Sequence, residues 1–359
     1  MTGIDARIVK RLPAVKDTAA FELNVHLQAE SGITVIIGSS GSGKTLILNS
    51  IGGFVRPDEG RILVEDQLYF DGATEVHLSP RHRRCGYIFQ DHALFPHMTV
   101  RQNLRFAAAS GTGRLNLRRR IGELLETFEL SELAERRPAQ LSGGQKQRAA
   151  LARILITQPR VLLLDEPSRG LDAFLRQSFY ELLRSLHARL RVPTLFVSHD
   201  IEECFELADS IVVLGGGKIL QSGLREEVCA KPATVEVARL LGIYNIVQAE
   251  ILGLNPEKNS SRIRAYGQEI EGPYFPGHLI GDSGFLCVRR SHMGLDGGKD
   301  VTQKSRLTLR AEAWRPSPHG ARVELEGGSS IVVAEAQRAN PGDCVNVYIP
   351  PTAMAFLEK

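Results

Sequence analysis

Eight consecutive residues, Gly38-Ser-Ser-Gly-Ser-Gly-Lys44-Thr45, constrain this chain more than any other feature, because of what flanks them. The apolar run Ile33-Thr-Val-Ile-Ile37 before them reads as a buried strand, and Leu46-Ile-Leu-Asn-Ser-Ile51 after them as the start of a helix. A strand, a glycine-rich turn and a helix opening on Lys-Thr form a phosphate-binding loop. Gly38, Gly41 and Gly43, with Ser39, Ser40 and Ser42 between them, let successive backbone N–H groups turn inward around an anion. The helix N-terminus adds its positive end. Lys44 supplies a point charge to β- and γ-phosphates, and Thr45 a hydroxyl to Mg²⁺.

At 359 residues the chain exceeds what one core organises, so two domains are expected. A hydrophobic fraction of 43% with 24% charged residues is that of a globular protein. No apolar run reaches bilayer-spanning length and no charged-then-apolar leader follows Met1, so the expected place is the side of the membrane where the chain is made. The cysteines Cys85, Cys204, Cys229, Cys287 and Cys344 show no paired spacing, which argues against a zinc site or disulfide frame. A net charge of +3 is too small to imply nucleic acid, and the basic runs Arg81-His-Arg-Arg84 and Arg118-Arg-Arg120 read as solvated faces.

From Gly32 to about Gly223, buried-strand runs alternate with amphipathic stretches, an α/β pattern. Val161-Leu-Leu-Leu-Asp165 and Thr194-Leu-Phe-Val-Ser198 read as strands buried on both faces. Phe174, Leu175, Phe179, Leu182, Leu183 and Leu186 recur at helical spacing, predicting one face laid on the sheet. Ile211-Val-Val-Leu214 and Lys218-Ile-Leu220 predict a hairpin, and the strand signal vanishes between Gln90 and Ser142. Beyond Leu240, short runs at 246–254, 285–289, 322–325, 331–333 and 344–349 predict a small β-barrel or sandwich.

Further motifs follow the loop in order: Tyr87-Ile-Phe-Gln90, Leu141-Ser-Gly-Gly-Gln145, Leu162-Leu-Leu-Asp165-Glu166, Ser168-Arg-Gly-Leu-Asp172 and Ser198-His199-Asp200. Together they resemble the nucleotide-binding subunit of ATP-binding-cassette transporters over about residues 5–235. The fold so implied is an α/β P-loop NTPase domain over 1–239, with a helical subdomain at about 91–142. An OB-like β-barrel domain over 240–359 follows. By the resemblance, Asp165 faces Mg²⁺ through water, with Thr45 and Gln90 as further metal ligands. Glu166 takes a proton from the attacking water or orients it. His199 contacts the γ-phosphate and holds the water in line. Ser142, Gly143, Gly144 and Gln145 open a helix, an anion site that in this family faces the ATP of a second subunit. Asp172 communicates across that interface. A homodimer follows, with integral-membrane permease subunits and an extracytoplasmic solute-binding protein as partners. The place implied is peripheral, on the cytoplasmic face of the cell membrane.

The chain departs from the family pattern in places. Leu46 stands where many relatives carry a second hydroxyl, and Gly170 where alanine is usual. Nothing aromatic precedes Ala20 to stack on adenine. Val15 stands where that ring is expected, and Phe21 reads as too near the first core strands. Leu94 and Phe95 are candidates for the permease groove, against simple packing. Arg83-Arg-Cys-Gly-Tyr-Ile-Phe-Gln-Asp91 and Pro193-Thr-Leu-Phe-Val-Ser-His199 look most like importers of molybdate and related oxyanions. Iron(III), sulfate and polyamine importers are the alternatives. A nucleic-acid-associated ATPase of the same superfamily would need a coiled-coil insertion or a second cassette. The C-terminal barrel is expected to dimerise. If it also senses an anion, Gly294, Gly297, Gly298, Arg289 and Arg290 are the conceivable donors.

Overall fold

The computed structural model describes residues 3–14, 19–89, 94–108, 114–295, 305–317, 320–326, 328–334 and 340–358. Two compact units, Met1–Val228 and Cys229–Lys359, make up the chain.

Two sheets organise the first unit. The six-stranded sheet runs, edge to edge, Lys218–Leu224, Ser210–Gly215, Ile33–Gly38, Thr194–Val197, Val161–Asp165 and Cys85–Ile88. Its first pair is the antiparallel hairpin and the other pairings are parallel. The parallel strands Ile33–Gly38, Val161–Asp165 and Thr194–Val197 are mostly apolar and almost wholly buried, as strands covered on both faces are. The second sheet is antiparallel, in the order Phe21–Glu30, Gly3–Leu12, Glu59–Val64, Gln67–Asp71, Val76–His77. Its members alternate buried and exposed positions, as in Phe21–Glu30, so one face is apolar.

The helix Lys44–Gly52 lies in the core between these sheets. Ile47, Leu48 and Ile51 are fully buried among Ile8, Leu23, Leu27, Ile36, Leu163 and Val197. Gly53, at φ 84°, ends that helix.

Arg83 corrects the solvated-face reading of its run. It is 0% exposed and donates to the carbonyls of Ser50 (2.7 Å), Ile51 (2.8 Å) and Leu78 (2.7 Å). A cation thus closes the negative end of the loop helix, and a Cβ on Gly53 would fall 2.7 Å from Arg83 Nε.

Between Cys85–Ile88 and Val161–Asp165 the described residues hold only helices and turns, chiefly Val100–Ala107, Arg114–Thr127 and Gly143–Leu155. Phe95, a groove candidate, packs its ring on Phe106 with centroids 4.8 Å apart, and Leu94 is half-buried. The helix Ala173–Leu190 buries Phe179, Tyr180, Leu183 and Leu186, but Phe174 is 79% exposed and does not belong to the packed face.

The second unit begins with helices and continues all-β. The helix Val235–Leu241 packs on the strands Tyr244–Asn255 and Ser283–Arg289 of its own unit. One five-stranded sheet runs Gln268–Gly272, Ser260–Ala265, Tyr244–Asn255, Ser283–Arg289, Met354–Leu357, and the other Gly294–Leu295, Cys344–Tyr348, Arg306–Ser317, Gly320–Leu325, Ser329–Val333. All their pairings are antiparallel, and both contribute to one core that includes Ile251, Leu286, Val323 and Val347.

Candidate active site

Three neighbouring strands of the parallel sheet end together. Val197 lies in register with Ile36 on one side and Asp165 on the other. Their carboxyl ends therefore bring the glycine-rich loop, the acidic pair and His199 to one rim, where ligands of such sheets bind. Gly38 is required where it stands, because a Cβ there would meet Leu214 O at 2.2 Å. Gly43 caps the loop helix at φ 104°, in the left-handed region that favours glycine.

Lys44 Nζ folds onto its own loop, donating to Gly38 O (2.8 Å) and Ser39 O (2.9 Å). Burial lowers its pKa, against the pull of Glu166 and Asp165. Thr45 Oγ1 donates to Asp165 Oδ1 at 3.1 Å. Asp165 is 7% exposed, and burial raises its pKa despite that hydrogen bond, with Glu166 adding to the rise. Ser42 Oγ is buried in the loop without a hydrogen-bond partner.

Glu166 holds φ 46°, a left-handed conformation that costs about 1–3 kcal/mol in a residue other than glycine. Its carboxylate lies 3.5 Å from His199 Nδ1 and 3.4 Å from Arg169 Nη1. Arg169, within the motif Ser168–Asp172 but without an expected role there, enters the site as a cation beside the acid.

A pocket of about 1000 Å³ is lined by residues 40–45, Glu166, Arg169 and His199, together with Leu12, Ala19, Ala20 and Phe21. Phe21 opens the strand Phe21–Glu30, near the first core strands as expected, and its Cζ also lies 3.2 Å from where a Gly43 Cβ would sit, so its ring borders the loop. Val15 lies outside the described residues, as does Gln90.

Ser142 caps the helix Gly143–Leu155 in a reciprocal box with Gln145, whose N–H donates to Ser142 Oγ at 3.3 Å. Ser142 and Gly143 are exposed, Gly144 is buried, and none of the four signature residues lines the pocket. Asp172 caps the helix Ala173–Leu190 by accepting from Leu175 N at 2.9 Å.

In the second unit, Arg289 is not a free anion donor. Its Nε and Nη2 donate to Cys229 O. Gly294 pairs with Tyr348 in a short strand, while Gly297 and Gly298 lie outside the described residues. Among the described residues no helix is long and apolar enough to cross a membrane.

Comparison with known proteins agrees with this geometry. The ABC transporter family model matches residues 22–169. A molybdenum import ATP-binding protein of Paramagnetospirillum magneticum is 36% identical over 316 residues, 85% of this chain and 73% of the relative. A sulfate/thiosulfate import ATP-binding protein of Synechococcus elongatus is 44% identical over 236 residues, but the match spans only 65% of this chain and 65% of the relative. A solved dimeric ATP-binding cassette, in a post-hydrolysis state bound to ADP and Pi, has a TM-score of 0.53 at 28% identity and covers 62% of this chain and 98% of its own. With loop, acidic pair and histidine at one sheet edge and an import ATP-binding relative matched over 85% of its length, the chain belongs to the ABC transporter family, among its import ATP-binding proteins, which are ATPases.

Proposed function

We propose that the chain is the ATP-hydrolysing subunit of an importer whose solute is molybdate. One observation carries the ATPase reading: Lys44, Thr45, Glu166 and His199 line a single pocket, with Asp165 bonded to Thr45 behind it. Lys44 exchanges the carbonyls of Gly38 and Ser39 for phosphate oxygens, and the loop from Gly38 to Gly43 contributes backbone N–H groups. Mg²⁺ fits the hard oxygen donors of Thr45 and Asp165, an exposed hydroxyl already bonded to a buried carboxylate. When bound, the ion neutralises charge on the phosphates. Glu166 accepts the proton of the attacking water, and His199, 3.5 Å from it, holds that water in line. Gln90 is assigned to the metal by resemblance alone.

The four signature residues stand away from this pocket, which supports a homodimer in which Ser142, Gly143, Gly144 and Gln145 meet the ATP of the partner and Asp172 lies at the junction. The C-terminal region over 240–359 is read as OB-like, each of its two antiparallel sheets having five strands, and as a dimerisation module. Permease subunits and an extracytoplasmic binding protein complete the assembly at the cytoplasmic face of the membrane.

The 36% identity to a molybdenum import protein over 85% of the chain favours molybdate. The 44% identity to a sulfate/thiosulfate import protein favours a second reading, sulfate.

Two measurements test these assignments. Glu166→Gln should keep ATP affinity while hydrolysis slows at least about a hundredfold, and a rate near wild type removes Glu166 from its role. In the complex reconstituted with its permease, molybdate-loaded binding protein should stimulate ATP turnover and sulfate should not. The opposite response decides for sulfate.

A further inference from the structure

We infer that Glu203 is the positioning residue that keeps Glu166 and His199 in register. Glu203 sits on the helix Ile201–Leu207, is 3% exposed, and does not line the nucleotide pocket. Three hydroxyls from three segments converge on its carboxylate. Ser168 Oγ and Tyr180 OH, the latter at 2.6 Å, donate to Oε1, and Ser198 Oγ donates to Oε2. Ser168 stands two residues after Glu166, and Ser198 immediately precedes His199. One buried group therefore ties together the two loops that carry the reacting side chains.

A carboxylate is a costly filler for a packed interior, since burying one without donors costs several kcal/mol. Its two oxygens take three donors, so all three hydroxyls must be in place to satisfy them. That requirement over-determines the two loops. Glu166 needs such support, because its left-handed backbone persists only where its surroundings enforce it. A second tie joins the same loops: Arg176 reaches Asp200 Oδ2 at 3.1 Å and Leu171 O at 3.4 Å. From the signature helix, Gln147 donates to Pro167 O, next to Glu166.

The inference rests on the proposed roles of Glu166 and His199, and steady-state ATP hydrolysis by the full chain tests it. Glu203→Gln keeps the volume but replaces one acceptor with a donor facing hydroxyl donors. We expect a folded protein whose KM for ATP stays within about twofold. Its kcat should fall about tenfold or more, because ångström-scale misplacement of reacting groups costs up to about a hundredfold. The double variant Ser168→Ala, Ser198→Ala retains Glu203 and should lose kcat in the same way, with little added loss when combined with Glu203→Gln. This pair carries the test if Glu203→Gln does not fold. Wild-type kcat in either folded variant overturns the inference, as does a rise in KM that parallels the fall in kcat and in melting temperature. Glu166→Gln, assayed alongside, separates the two claims. If it is slow while Glu203→Gln is normal, only the positioning role falls. If it turns over normally, the base assignment falls.

Discussion

Replacing Arg83 with methionine offers the sharpest test of how the loop helix is held. The substitution keeps most of the buried volume and removes three hydrogen bonds to carbonyls at 2.7–2.8 Å. Ser50 O retains the N–H of Gly53 at 3.3 Å, which leaves the carbonyls of Ile51 and Leu78 without a strong donor. A buried polar group stranded in this way costs about 1–3 kcal/mol, or about 2–6 for two. Relief of the guanidinium's own desolvation, which already lowers its pKa, pulls the net loss toward about 2–4 kcal/mol. For a unit of this size each kcal/mol shifts the melting temperature by about 2–4 °C, so Arg83→Met should melt about 4–16 °C lower. Arg83→Lys should fall between, because one ammonium cannot reproduce the planar fork. Thermal unfolding of the nucleotide-free full chain measures this. A loss below about 0.5 kcal/mol, the range of neutral surface substitutions, would refute the claim that this buried cation closes the helix.

Asp165 and Phe21 give two further tests. Burial holds the Asp165 carboxyl above its ordinary value, with Thr45, Lys44 and Glu166 facing it, so the folded state keeps that proton to higher pH than the unfolded chain. The nucleotide-free protein should therefore lose stability as pH rises from the ordinary carboxylate range through the raised value, with the full cost present above it. Asp165→Asn should raise the melting temperature at neutral pH, flatten that slope and abolish the extra stabilisation by ATP with Mg²⁺. A lower melting temperature at neutral pH would contradict this. Phe21→Ala should weaken ATP binding by about 1–3 kcal/mol, the scale of aromatic stacking on a base, and unchanged affinity by fluorescence titration would show that the ring only walls the pocket.

The chemistry of this protein is legible along the chain because each motif is short and the strands that carry them run parallel. Every parallel strand delivers the loop at its carboxyl end to the same edge, so naming the residues after Ile37, Leu164 and Val197 already names most of the site. The buried runs 33–37, 161–165 and 194–197 and the hairpin after Ile211 were readable for the same local reason, an unbroken apolar stretch between turns. Tertiary structure alone decided the rest, since it depends on contacts between distant residues. Gly3–Leu12 pairs with Phe21–Glu30 on one side and with the distant Glu59–Val64 on the other, and those pairings build the sheet which buries the loop helix and brings Phe21 to Gly43. Arg83 stands in a run that looks solvated, yet the helix end it must close lies over thirty residues earlier. Glu203 looks like one acid among several on a helix, until folding sets Ser168, Tyr180 and Ser198 around its carboxylate. Local patterning determined which groups do the chemistry, whereas long-range packing determined what holds them, because a buried charge takes its meaning from partners that only the folded chain supplies.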